Sequence, residues 1–267
     1  MSRAALAGLL LLGLVSAASA AEPASLAKAR ALYNAGNFEE AVSLARAARK
    51  DPAFIDSATL VMSRALLERY RVLGDPADLA SAREALGMVR VAGLSPRDQV
   101  DLLIGLGEGL YLSEVYGAAA DLFEIALARA AVLGQADRTR LLDWWATALD
   151  REAQSRVPDR RGALFARLTE RMEEEIRRDP GSPAPNYWLV VAARGQGDLE
   201  HAWDAAAAAW VRATLSPATA DTLRADLDQL VTEALIPERA RMRPAREQQE
   251  AAAMFRSEWD ALKQQWK

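Results

Sequence analysis

The chain has no cysteine and a single histidine, His201, among 267 residues. Without cysteine there is no disulfide, no thiol nucleophile and no cysteine-based zinc or iron–sulfur site. One histidine excludes the usual multi-histidine metal sites. Neither absence excludes a carboxylate-only site or a serine-based enzyme. An excess of one charge sign is also missing. The 33 basic residues face 37 acidic ones, and a net charge of −4 is too mild and mixed for a nucleic-acid binder. Basic residues are nowhere interleaved with aromatics as a single-strand platform requires. The sequence holds no GxSxG elbow, phosphate-binding loop, HExxH or calcium loop. No catalytic residue, metal or cofactor is therefore expected. His201 has Asp204 three residues away, which reads as a surface or structural pair.

What is present is alanine, 57 residues of it, and long 3.6-residue periodicity without sustained two-residue alternation. The pattern predicts helices near 23–35, 38–50, 54–73, 76–92, 96–115 and 117–133. It continues with 137–155, 159–178, 183–195, 198–214, 217–235 and 244–266. Asp51-Pro52, Gly74-Asp75-Pro76, Ser95-Pro96, Asp179-Pro180 and Ser216-Pro217 stand between them, because proline opens helices and breaks their interiors. Gly105, Gly107 and Gly109 fall inside a helical pattern and indicate close helix packing rather than a phosphate loop.

Residues 1–20 read as a secretory signal peptide. Arg3 is the positive start, residues 4–15 (AALAGLLLLGLV) the apolar stretch, and Ala18-Ser19-Ala20 the cleavage pattern. Twelve apolar residues rise about 18 Å as a helix, short of a bilayer core of about 30 Å. A lipoprotein needs a cysteine after the cleavage site, and none exists. The expectation is a soluble periplasmic protein with no integral membrane segment after cleavage.

Residues 31–52 (ALYNAGNFEEAVSLARAARKDP) resemble the tetratricopeptide repeat. Gly36-Asn37 makes the turn, Phe38 opens the second helix, Ala41 is the small crossing residue, Ala48 faces the next unit and Pro52 closes it. A third unit carries Leu106-Gly107, Tyr116, Ala119, Phe123 and Ala126, and a fifth carries Gly197-Asp198, Leu199, Ala202 and Ala209. A second unit, from Gly74 to Ala82, has a longer turn. The fourth, 137–180, places Leu168 at the crossing. The crossing residues Ala41, Ala82, Ala119, Leu168 and Ala202 lie 41, 37, 49 and 34 apart, against a regular repeat of about 34. The resemblance implies a divergent, all-α, right-handed α-solenoid of about five hairpins over 21–215. Residues 216–267 then form a C-terminal capping helix pair.

In that family the first helix of each repeat lines a concave groove. By register the resemblance implies partner-binding positions at Arg30, Tyr33 and Asn34, at Asp101, Glu108 and Tyr111, and at Tyr187 and Arg194. The lysine-and-asparagine clamp of the chaperone-binding branch is missing, with only Asn34 of that type. The implied function is a non-catalytic scaffold or adaptor for other envelope proteins. The alternative is a small-ligand-binding or transporter-associated component using the Trp-rich half, since all seven tryptophans follow residue 143. Trp144 and Trp145 point about 100° apart on a helix, so one of them is expected to be partly exposed.

Three further readings concern the second half. Glu173-Glu174-Glu175 is expected on an exposed, salt-laced face, through Glu173–Arg177 and Glu174–Arg178. Residues 237–244 are expected to be a solvated basic linker. Phe255, Trp259, Leu262 and Trp266 share one helix face, either packing on the last repeat or forming a homodimer contact.

Overall fold

The computed structural model describes residues 22–267, so the expected signal segment lies outside the described residues. The described chain is all-helical. In order the helices are α1 (Ala24–Asn34), α2 (Phe38–Ala48), α3 (Ile55–Leu73), α4 (Pro76–Gly87), α5 (Pro96–Tyr111), α6 (Tyr116–Ala128) and α7 (Gln135–Gln154). They continue as α8 (Pro158–Arg178), α9 (Pro183–Gly195), α10 (Leu199–Arg212), α11 (Pro217–Leu230), α12 (Ile236–Arg241) and α13 (Gln248–Gln265). Among the described residues no helix is long and apolar enough to cross a membrane.

Local chemistry sets the helix ends. Proline occupies the first turn of α4, α5, α8, α9 and α11, where its missing N–H costs nothing. Asp75, Ser95 and Asp198 cap α4, α5 and α10 by accepting from the N–H groups of Ala77, Asp98 and His201.

Three hairpin turns share one backbone geometry. Gly36, Glu114 and Gly197 have φ of 80°, 62° and 82°. In each case the following N–H reaches back five residues: Asn37 to Leu32, Val115 to Leu110, Asp198 to Ala193. This is the left-handed helix ending that glycine favours. Glu114 occupies it with a Cβ, which costs about 1–2 kcal/mol. Glu114→Gly is therefore expected to stabilise the fold by about 0.5–1 kcal/mol after glycine's extra chain entropy is subtracted. A urea titration should show a higher midpoint at unchanged slope; an unchanged or lower midpoint would mean the turn is not strained.

Each helix packs on the next from α1 to α11, and odd-numbered helices also touch in sequence, α1 on α3, α3 on α5, α7 on α9 and α9 on α11. The crossing residues Ala41, Ala82, Ala119, Leu168 and Ala202 are all fully buried. The α5–α6 approach is closest at Gly107, where a Cβ would lie 2.5 Å from Phe123 Cε1. Two hydrophobic clusters form the core. One joins α1–α4 through Leu26, Leu60 and Leu67. The other runs from α5 to α13 through Phe123, Trp145, Leu168 and Trp259. Helix α5 is the seam, giving Leu102 to the first and Val100 and Ile104 to the second.

Two expectations in the second half need correction. Residues 237–244 are not simply a solvated linker. Helix α11 continues through a π turn, Val231–Leu235, into α12. Pro237 stands in the first turn of α12, where its ring is tolerated. Ile236 and Ala240 are buried, Glu238 pairs with Arg194 of α9, and the Arg239 guanidinium lies 4.2 Å from the Phe255 ring centroid. Helix α8 is not merely a salt-laced surface either. Glu173 does pair with Arg177 at 3.8 Å, but Arg178 turns to Glu175, not Glu174. Glu175 is 3% exposed and accepts a two-pronged contact from Arg138 of α7 at 2.6 and 2.7 Å. Inward rotation of Glu175 at the α7–α8 contact is invisible to a same-helix spacing rule.

The α13 stripe packs on α10. Phe255 and Trp259 are buried, with the Trp259 ring 5.4 Å from Trp210 and 6.0 Å from Trp203. Trp266 stays 44% exposed.

Candidate functional site

Helix α5 carries Arg97, Asp101, Ile104 and Glu108 at intervals of four, three and four, which places them along one helical face. That face looks into a cavity of about 480 Å³. Helix α1 supplies Arg30, Tyr33 and Asn34 to its wall, α3 supplies Leu60, Val61 and Arg64, and α7 supplies Asp137, Arg140, Leu141 and Trp144. All four helices are odd-numbered, so the pocket sits on one layer of the hairpin array, at the seam between the two core clusters.

Ion pairs tie the walls together. Arg30 of α1 donates to both Asp98 oxygens at 2.8 and 3.0 Å and to Glu22 at 2.8 Å. Ser57 Oγ donates to Asp98 at 2.8 Å. Arg64 of α3 reaches Asp101 at 2.9 Å and Glu108 at 3.3 Å. Arg97 closes the series, donating to Asp101 at 3.0 Å and to Asp137 of α7 at 2.8 Å. The most buried of these pairs, those of Arg64, offset their own desolvation at best. The main consequence of the whole series is to fix the rotation of α1, α3, α5 and α7 relative to one another.

The deepest carboxyl is Glu108, 3% exposed. Its Oε1 accepts from Arg64, while Oε2 is buried without a partner, as is Arg64 Nε. Burial pushes the Glu108 carboxyl above the usual range, and Arg64 only partly opposes this. Burial also raises the Tyr33 phenol, so it is a neutral hydroxyl at pH 7. Burial works against the Arg64 charge, and the neighbouring Glu108 and Asp101 carboxylates oppose that effect; the guanidinium lies 5.0 Å from the Tyr33 ring centroid.

Five of the eight positions implied by the repeat register, Arg30, Tyr33, Asn34, Asp101 and Glu108, line this one pocket. Tyr111 does not line it. It stands behind Trp144, ring centroids 4.9 Å apart and edge to face, and buttresses that wall. Tyr187 and Arg194 lie elsewhere. Tyr187 borders a separate depression with Asp226 and Leu230, and Arg194 is held by Glu238. Both belong to α9, beyond the four helices of the pocket. His201 is exposed on α10, away from the lining.

Arg64, Arg97, Asp98, Asp137, Arg140 and Trp144 were not singled out by register. Units two and four, which hold Arg64, Asp137, Arg140 and Trp144, match the repeat too loosely to carry positions over, and Arg97 and Asp98 precede the first register position of unit three, Asp101. The charged stripe on α5 was the available signal. Trp144 and Trp145 divide as their spacing requires: Trp145 is 1% exposed in the core, and Trp144 faces the pocket. Chemically the site offers apolar walls, an unpartnered buried carboxyl oxygen and an exposed guanidinium, Arg140. Its one serine, Ser95, is committed to the α5 cap, and Ser57 behind Asp98 is committed to that carboxylate. No protein-family model matches the chain, and no curated protein matches it.

Proposed function

We propose that this chain is a non-catalytic interaction scaffold of the cell envelope. In this reading it is a right-handed solenoid of about five tetratricopeptide-type hairpins, closed by the C-terminal helices. It holds a segment of another envelope protein in the pocket of α1, α3, α5 and α7. The observation that carries the reading is the convergence of four odd-numbered helices on one 480 Å³ cavity. Fully buried alanines at four of the five crossing positions, and one turn geometry at Gly36, Glu114 and Gly197, support the repeat assignment. Walls that mix ion pairs with apolar side chains suit an extended chain segment, which presents both kinds of group.

The test is capture from a bead-displayed peptide library. Asn34 lies exposed at the pocket, so Asn34→Trp narrows the mouth without touching the core. Wild type should enrich a restricted set of sequences, and the variant should enrich them at least about tenfold less, a loss of about 1.4 kcal/mol. The two proteins should melt at nearly the same temperature. Equal enrichment by both would place the partner site elsewhere.

A second reading is carriage of a small ligand in the same pocket. It is favoured by the cavity volume, which falls within the roughly 300–1,000 Å³ of small-molecule sites.

A further inference from the structure

We infer that the pocket recognises a primary ammonium group, seated on Glu108 Oε2, and that a lysine side chain of the bound segment supplies it. The inference rests on the pocket being the partner site. The lining contains five carboxylates, Glu22, Asp98, Asp101, Glu108 and Asp137, against four guanidiniums. Three of those guanidiniums, Arg30, Arg64 and Arg97, each already serve two carboxylates. The fourth, Arg140, is exposed. No guanidinium of the lining donates to the second Glu108 oxygen, although Arg64 Nε is itself buried without a partner. The Glu108 side chain is 4% exposed, and its Oε2 is without a hydrogen-bond partner. An acceptor left this way costs free energy until a donor arrives.

The geometry at Glu108 selects the donor. Oε2 is the Glu108 oxygen without a partner, since Arg64 contacts Oε1 at 3.3 Å. A guanidinium recognises carboxylates best through two parallel bonds and would have to share Oε1 with Arg64. An ammonium is a compact point charge that needs only one. Its stem must cross apolar surface, and the lining supplies Leu60, Val61, Ile104 and Leu141. Ile104 sits one helical turn before Glu108 on the same face of α5. A lysine side chain combines four methylenes with a charged head and fits both parts of the wall. Burial that keeps the Glu108 carboxyl above its usual range is relieved when a cation binds beside it.

The test uses a library of acetylated, carboxamide-capped hexapeptides, so that lysine is the only source of ammonium. Wild type should prefer lysine over norleucine at one position by at least about tenfold, and over arginine by a smaller factor. Glu108→Gln keeps an acceptor for Arg64 and should abolish the lysine preference with little change in melting temperature. Asp137→Asn, at the Arg97 pair, should retain it. Peptide capture without a lysine preference would overturn the inference and leave the scaffold reading intact. Loss of the preference in Asp137→Asn but not in Glu108→Gln would place the ammonium away from Glu108 and overturn it as well. A parallel titration with n-pentylamine, read by Trp fluorescence, separates the sources. If no peptide binds but n-pentylamine gives a saturable change that Glu108→Gln lacks, the ammonium site stands and the segment reading falls. Failure of both probes would overturn both.

Discussion

Trp259→Ala is expected to destabilise the protein by about 3–5 kcal/mol, the usual cost of removing a fully buried tryptophan. Trp259 is 1% exposed on α13 and packs edge-on against Trp203 and Trp210 of α10. Its indole Nε1 donates to Asp228 of α11 at 2.7 Å. The substitution therefore opens a cavity and removes a hydrogen bond that joins α11 to α13. Asp228 would keep Lys263, 2.7 Å away, so the carboxylate is not left isolated. Trp266→Ala, in the same stripe but 44% exposed, should cost less than about 1 kcal/mol. Urea unfolding followed by helical circular dichroism measures both. Equal, small losses would mean that α13 does not dock on α10.

The second large effect is at Glu175. Glu175→Ala leaves Arg138, Arg171 and Arg178 facing one another without the carboxylate that each contacts. Arg138 is only 18% exposed, so its charge becomes both buried and unpaired. Breaking a buried pair in this way costs about 3–5 kcal/mol. The pH dependence gives an independent check. Burial alone would raise the Glu175 carboxyl, but the Arg138 hydrogen bonds and the Arg138, Arg171 and Arg178 charges outweigh it and hold it below the usual range. A carboxylate depressed in the folded state contributes stability above its unfolded value, about 4.3. That contribution is lost as the pH falls through the folded value. Glu175→Gln should therefore be less stable than wild type at pH 7, and the gap should close on acidification below about pH 4. A gap constant between pH 7 and pH 3 would show that the three arginines do not stabilise the ionised form.

Much of the helical framework was legible because its determinants are local. Proline at Pro76, Pro96 and Pro217 marks helix starts through its missing N–H, whatever the rest of the chain does. Ala41, Ala82, Ala119 and Ala202 are small where two axes meet, and the meeting helices are neighbours in sequence. Glu114 was harder to read. Its turn lacks the glycine found at Gly36 and Gly197, yet the backbone takes the same left-handed form, because the paired helices on either side impose it. Pro237 misled in the opposite direction. A proline within a basic run suggests a linker, whereas the preceding π turn lets the helix pass through it.

The pocket was legible only in part. Arg30, Tyr33, Asn34, Asp101 and Glu108 could be named because a repeat register carries positions from one hairpin to the next. Arg64 and Trp144 lay in units too irregular for that register, and Tyr187 and Arg194 showed its limit by falling outside the pocket.

By itself the sequence determined the helices, their ends and the small residues at their crossings, since each depends on side chains within a few positions. Only the tertiary structure decided that Arg64 meets Asp101 and Glu108, that Arg97 meets Asp137, and that Glu175 turns inward. Those partners lie about 40 residues apart, except where Arg97 pairs within its own helix. Whether they meet depends on the rotation and slide of whole helices. A shift of one residue turns a helix face by about 100°, which would take Glu108 out of the pocket and leave its local sequence unchanged.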